Sequence, residues 1–171
     1  EYYGIEPDLA CYGKALGNGI PISCIVGRRE YFDWFDRNDP CFISSTFFGE
    51  TLGLAAADEV LKRLTGADIV GIWTTGQLLL EGFMNAGYSV MGHPPRSLLQ
   101  FGNSAERGFF IAGMRDRGIL MNRPNLPNMA HTVEDVKKTV KAAAEVRAEM
   151  GKVNVEVVMI DKEPETLFEG R

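Results

Sequence analysis

Apolar residues in the first third of the chain come in short runs separated by glycines. Leu9 to Tyr12, Ile22 to Val26 and Cys41 to Ser44 read as strands, with a short helix from Arg28 to Phe35. The spacing then changes. Leu52, Ala55, Ala56, Val60, Leu61 and Leu64 recur at helical intervals, which predicts a helix that stops at Thr65-Gly66. A second helix is predicted from Asp68 to Ala86, with Ile69, Ile72, Trp73, Leu79, Leu80 and Phe83 near one face; Gly76 counts against it. Strands followed by turns and helices in this order predict an α/β class, with a lobe boundary at the end of the 52–64 helix.

The remainder alternates. Tyr88 to Met91 and Ser97 to Phe101 read as an extended pair turned by His93-Pro94-Pro95. Gly108 to Arg117 reads as a helix stopped by Gly118, followed by Ile119 to Met121 and a Pro- and Asn-rich loop from Asn122 to Met129. Thr132 predicts a helix start that uses Asp135, with Val133, Val136, Val140, Ala143 and Met150 on one stripe. After Gly151, Val153 to Ile160 is strand-like and the tail from Asp161 is mostly polar.

Composition narrows the classes. The 171 residues are 45% hydrophobic and 24% charged, enough for one globular domain or two small lobes. No apolar run reaches the length of a membrane helix, and no signal peptide is legible, so no membrane partner is expected. A formal charge of -5 without a basic block speaks against nucleic acid. Cys11, Cys24 and Cys41 are an odd, widely spaced set, and His93 and His131 are the only histidines; reduced thiols, a cytoplasmic setting and no structural zinc are expected.

The chemistry concentrates in Pro7-Asp8-Leu9-Ala10-Cys11-Tyr12-Gly13-Lys14-Ala15-Leu16-Gly17-Asn18-Gly19-Ile20-Pro21, where one lysine ends an apolar strand inside a glycine-rich turn. An amine held in a partly desolvated turn has its ammonium form disfavoured and becomes a nucleophile for a carbonyl. The bland alternative is a solvated lysine. Gly13-Lys14 is no Walker loop, since Ala15 stands where a hydroxyl is required, and Gly17-Asn18-Gly19 lacks the third glycine of a dinucleotide fingerprint.

Together with Ser44-Ser45-Thr46-Phe47-Phe48-Gly49-Glu50-Thr51-Leu52, the Lys14 segment resembles class III, fold type I, pyridoxal-phosphate-dependent aminotransferases, particularly those similar to glutamate-1-semialdehyde aminomutase. The resemblance implies that Lys14 forms the Schiff base with pyridoxal phosphate. It implies that Thr46 binds the cofactor phosphate, across a homodimer interface. Gly118-Ile119-Leu120 and Ala130-His131-Thr132-Val133-Glu134-Asp135-Val136 look like closing elements of the family's small domain. His131 reads as a residue ahead of a helix cap or, alternatively, as a catalytic group.

The family also uses an upstream aspartate on the pyridine nitrogen, a phosphate loop and a stacking aromatic ring, and no segment of this chain matches them. The resemblance therefore implies the C-terminal half of such an enzyme: residues 1–66 as the end of the cofactor domain and 67–171 as an α+β small domain. Arg123, in the Asn- and Pro-rich loop, is a candidate for a substrate carboxylate through its planar fork, against the alternative of a surface arginine. Two functions are then open. One is a piece of an aminotransferase or aminomutase acting on a small-molecule amino donor and a carbonyl acceptor. The other is a non-catalytic remnant serving as an interaction module. On either reading the isolated chain is expected to be folded, self-associated and catalytically silent.

Overall fold

The computed structural model describes residues 2–33, 42, 44–121 and 124–160. They form two compact units, Glu1–Thr65 and Gly66–Arg171.

In the first unit, β1 (Leu9–Tyr12) and β2 (Cys24–Gly27) pair antiparallel, with Leu9 opposite Gly27 and Tyr12 opposite Cys24. Gly27 is required by close approach: a Cβ there would lie 2.3 Å from the Asp8 carbonyl oxygen. The predicted short helix appears as α1 (Arg29–Phe32). The predicted strand at Cys41 to Ser44 falls partly outside the described residues, and Phe42 and Ser44 belong to no strand. α2 (Thr51–Arg63) follows the predicted periodicity. Gly17, Gly53 and Ala57 are the only buried residues among those described in this unit, so it has almost no core.

The second unit holds the core. α3 (Gly66–Asn85) starts two residues before the expected Asp68. Two of its glycines, Gly76 and Gly82, are explained by packing. A Cβ on Gly76 would sit 2.1 Å from the Pro94 carbonyl oxygen, and one on Gly82 would sit 2.2 Å from Val140 Cγ2. The backbone of α3 thus lies directly against the hairpin turn and the helix it packs on. β3 (Ser89–His93) and β4 (Arg96–Gln100) form the hairpin, with His93 opposite Arg96 across Pro94-Pro95.

α4 (Ser104–Asp116) begins four residues before the expected Gly108. Asn103 Oδ1 accepts from Glu106 N at 2.8 Å, while Glu106 Oε2 accepts from Gly102 N at 2.8 Å, so two orphan amides at the helix start are satisfied. Ile119 to Met121 belong to no helix or strand. The third strand is instead β5 (Pro124–Asn125), inside the segment read as loop, antiparallel to β4 in the order β3-β4-β5. A buried bond from Asn125 Nδ2 to Ser97 Oγ at 3.2 Å ties it there, and neither Pro124 nor Asn125 advertises a strand.

α5 (Val133–Met150) carries the expected capping box of Thr132 and Asp135. The strand-like Val153 to Ile160 is a helix, α6 (Val155–Ile160), packed on α4. Val155 reaches the core, and Glu156 accepts from Asn103 Nδ2 at 3.4 Å. Tertiary contact here overrides the β-branched preference for a strand. Phe83, Phe110, Met114, Ala143 and Val146 are at most 1% exposed and tie α3, α4 and α5 together. Each large side chain among them contributes on the order of 2–3 kcal/mol by leaving water.

Candidate functional site

β1 delivers the chain to Gly13, and Lys14 opens a single 3-10 turn, Lys14–Leu16. Leu16 N donates to the Gly13 carbonyl at 3.1 Å, and Gly17 N and Asn18 N both donate to the Lys14 carbonyl at 3.2 Å. Lys14 has φ 52° and Asn18 φ 45°. Asparagine tolerates the left-handed region. A lysine held there costs on the order of 1–2 kcal/mol, which its surroundings must offset. Gly17 shapes those surroundings: it is buried, and a Cβ would meet the Ile20 carbonyl oxygen at 2.1 Å and Ile22 Cγ2 at 2.7 Å. The side chain of Lys14 is exposed and enters no ion pair with the described residues. The desolvation expected from its glycine-rich turn is therefore not supplied by these residues.

Thr46 lies in the turn that leads into α2 and is exposed. Phe48 N donates to the Ser45 carbonyl and Glu50 N to the Phe47 carbonyl, both at 3.1 Å. The amino end of α2 is already satisfied. Glu50 caps it, accepting from Leu52 N at 2.8 Å and from Gly53 N at 2.6 Å. A helix amino end favours an anion, and here an internal carboxylate occupies those amides. An anion approaching this segment meets the Thr46 hydroxyl and its own turn, upstream of the cap. Glu50 escaped the sequence reading because Ser, Thr, Asp and Asn are the usual capping residues and Thr51 stands beside it.

The two segments share one packed patch. α2 rests against the Lys14 turn, and Gly53 lies so close to the loop after it that a Cβ would be 3.4 Å from Ile22 Cβ and from the Pro21 carbonyl oxygen. Gly17, Ile22 and Gly53 thus join the strand-end lysine to the start of α2. Asp8 and Arg28 close the other end of the hairpin, with Arg28 N donating to the Asp8 carbonyl at 3.2 Å and an exposed ion pair at 3.4 Å.

Arg123 lies outside the described residues. In the second unit a cleft of about 230 Å³ is lined by Leu79, Phe83, Met121, Asn125, His131 and Asp135 among others. His131 serves its own turn: Nδ1 accepts from Asn128 N at 3.1 Å, and His131 N donates to the Asn128 carbonyl at 3.1 Å. The Thr132 amide and hydroxyl donate to Asp135 Oδ2 at 2.8 and 2.7 Å. These bonds hold its carboxyl below the ordinary range, with smaller help from the charges of His131 and Lys138. Among the described residues no group of three His, Cys, Asp or Glu is placed to hold a metal, and no helix is long and apolar enough to cross a membrane.

Residues 1–86, which include the Lys14 turn, the Thr46 turn and α2, match the family model for class III aminotransferases. The chain belongs to that family. A glutamate-1-semialdehyde 2,1-aminomutase of Bacillus subtilis is 27% identical over 174 aligned positions, covering 88% of this chain and 40% of that relative. One from Methanococcus maripaludis is 45% identical over 64 residues, 37% of this chain and 15% of the relative.

Among solved structures, the pyridoxal-phosphate internal aldimine form of the Sphingopyxis sp. MTA144 FumI protein superposes with a TM-score of 0.73 at 24% identity, covering 95% of this chain and 40% of that one. An omega-transaminase from Sphaerobacter thermophilus gives 0.75 at 21% identity, covering 86% and 40%. These likenesses show the fold, that of fold type I aminotransferases. This class III chain spans about 40% of the curated relatives it matches over most of its length.

Proposed function

We propose that this class III chain carries the covalent anchor of a pyridoxal-phosphate-dependent enzyme that moves an amino group, with Lys14 as the anchor. The observation that carries the proposal is the Lys14 turn: a strand-end lysine held in a left-handed conformation, inside the segment that matches the family model. Backbone strain of this kind persists where surroundings over-determine it, and it clusters at functional sites. An accessible primary amine suits an aldehyde, and a hydroxyl on a turn suits a phosphate, so Lys14 fits one end of pyridoxal phosphate and Thr46 the phosphate end of the cofactor held by the neighbouring subunit.

When bound, the pyridine ring of that cofactor supplies the electron sink for the chemistry. The chain's own part is narrower. Lys14 Nζ, once it has lost its proton, would hold the cofactor covalently through its aldehyde. When not holding the cofactor, Lys14 Nζ would accept and return a proton at the substrate carbon. Thr46 Oγ would donate to a phosphate oxygen of the cofactor held by the neighbouring subunit, and Glu50 caps the start of α2 that follows the Thr46 turn. Residues 1–66 act as the end of the cofactor domain and 67–171 as the small domain. Arg123 is proposed to bind a substrate carboxylate. The substrates are an amino donor and a carbonyl acceptor, and the intact enzyme works as a homodimer with Thr46 at the interface.

Exposure of Lys14 and the near absence of a core in the first unit favour a chain that is catalytically silent alone. That is also what a non-catalytic interaction module would show. Titration with pyridoxal phosphate separates the two readings. The amino-transfer reading expects an absorbance band near the visible edge that Lys14→Ala removes and Thr46→Val weakens. An interaction module gives no band that depends on Lys14.

A further inference from the structure

Ile22 is flanked by three glycines of the first unit. A Cβ on Gly17 would lie 2.7 Å from Ile22 Cγ2, one on Gly53 would lie 3.4 Å from Ile22 Cβ, and one on Gly13 would lie 3.7 Å from the Ile22 carbonyl oxygen. Gly13 and Gly17 bracket Lys14, and Gly53 belongs to α2. Gly17 and Gly53 are buried and Ile22 is half-buried, in a unit whose described residues bury little else. The isoleucine is thus a wedge between the lysine turn and a helix. Its β-branch suits the place, because restricted rotation about χ1 gives Cγ2 a nearly fixed direction from the backbone.

Both sides of the wedge are tied down. On the helix side, Gly53 N donates to Glu50 Oε2 at 2.6 Å. On the turn side, Gly17 N donates to the Lys14 carbonyl at 3.2 Å, and the Gly17 carbonyl accepts from Ile20 N at 3.1 Å. Lys14 has φ 52°, and its exposed side chain enters no ion pair with the described residues, so among them the backbone sets its direction. We propose that Ile22 is a positioning residue for Lys14, packing on Gly17 through Cγ2 and on Gly53 through Cβ so that the turn keeps the lysine left-handed. This rests on the reading of Lys14 as the covalent anchor. A left-handed lysine that loses its support returns to ordinary backbone, a shift of about 5–30-fold in relative population.

Nuclear magnetic resonance on the whole 171-residue chain with isotope-labelled lysine tests the proposal, because a positive φ brings the amide and α protons of one residue close and gives a strong cross-peak. Borohydride trapping of pyridoxal phosphate is run beside it. Lys62 in α2 and Lys137 in α5 are the helical controls. The parent chain and Ile22→Val, which keeps both Cβ and Cγ2, show the strong Lys14 cross-peak and carry the label. Ile22→Ala loses Cγ2 and lowers both at Lys14, with Lys62 unchanged. Where the alanine also disturbs Lys62, Ile22→Leu decides, because it keeps the apolar volume without the β-branch and lowers Lys14 alone. A Lys14 cross-peak that is weak in the parent, undiminished in Ile22→Ala or Ile22→Leu, or lost in Ile22→Val overturns the proposal. So does a set of variants in which Lys14 and Lys62 change only together. Cross-peaks as expected with no label on Lys14 in any form defeat the anchor reading instead, and leave the hold of Ile22 on the turn standing.

Discussion

Tyr88 shows what single residues contribute to the second unit. Its ring is 5% exposed, its hydroxyl donates to the Ala143 carbonyl at 3.0 Å, and the Arg147 guanidinium carbon lies 5.4 Å from its centre. Burial pushes the phenol from its ordinary 10.0 up to about 12, with Arg147 pulling the other way. The unfolded chain therefore loses this proton first. The resulting stability is whole below pH 10.0 and is lost as pH rises towards about 12. Tyr88→Phe is expected to lower stability at neutral pH by about 1 kcal/mol and to remove this alkaline loss, which urea unfolding at neutral and alkaline pH measures. An unchanged alkaline limb in the variant contradicts that assignment. Asp135 works in the opposite range. Its depressed carboxyl, bonded chiefly by the Thr132 amide, adds stability above its ordinary value of 3.8 that is lost as acid protonates it. Asp135→Asn should flatten the acid side of the unfolding profile, and an acid limb equal to that of the parent chain counts against this.

At the scale of elements, α3 offers a paired test within one helix. Gly71 is exposed, with nothing within 4 Å of a built Cβ, whereas Gly76 would place its Cβ 2.1 Å from a backbone oxygen. Gly71→Ala should stabilise the second unit by about 0.5–1 kcal/mol through helix propensity. Gly76→Ala should destabilise it by about 1–3 kcal/mol, because a backbone oxygen has no rotamer to yield. Denaturation midpoints that move the same way for both would contradict the packing. Asn103→Ala removes the α4 cap and is expected to cost about 1 kcal/mol in the same assay, with no change counting against the cap. The elements legible in the sequence are those whose signals are local: β1 and its glycine stop, the periodicity of α2, the Thr132–Asp135 box. β5 was hidden because its place depends on Asn125 reaching Ser97, twenty-eight residues away. α6 was hidden because Val155 packs in a core formed by distant helices. In the candidate site the Lys14 turn was legible from its glycines, whereas Glu50 was not, since only the fold aims its carboxylate at the amides of Leu52 and Gly53.

For the whole molecule, stability is divided unequally between the two units. The buried cluster runs from Leu79 to Met150, with nothing from the first unit in it. Residues 66–171 alone are therefore expected to unfold cooperatively on heating, and residues 1–65 alone to show no cooperative transition; circular dichroism of the two pieces measures both. Cooperative melting of 1–65 would show that its sparse burial suffices. Membership of the class III aminotransferases gives the uncovered unit its meaning, because that unit holds the strained lysine, the Thr46 turn and most of the family match. The central claim is that Lys14 is the covalent anchor, and borohydride trapping tests it most directly. The 171-residue chain is incubated with pyridoxal phosphate, reduced, digested and mapped by mass spectrometry. The account expects label on Lys14 in clear excess over Lys62 and Lys137, lowered by Thr46→Val or by inorganic phosphate at Lys14 alone. Label spread evenly over the lysines, or concentrated elsewhere with Lys14 unmodified, would contradict it.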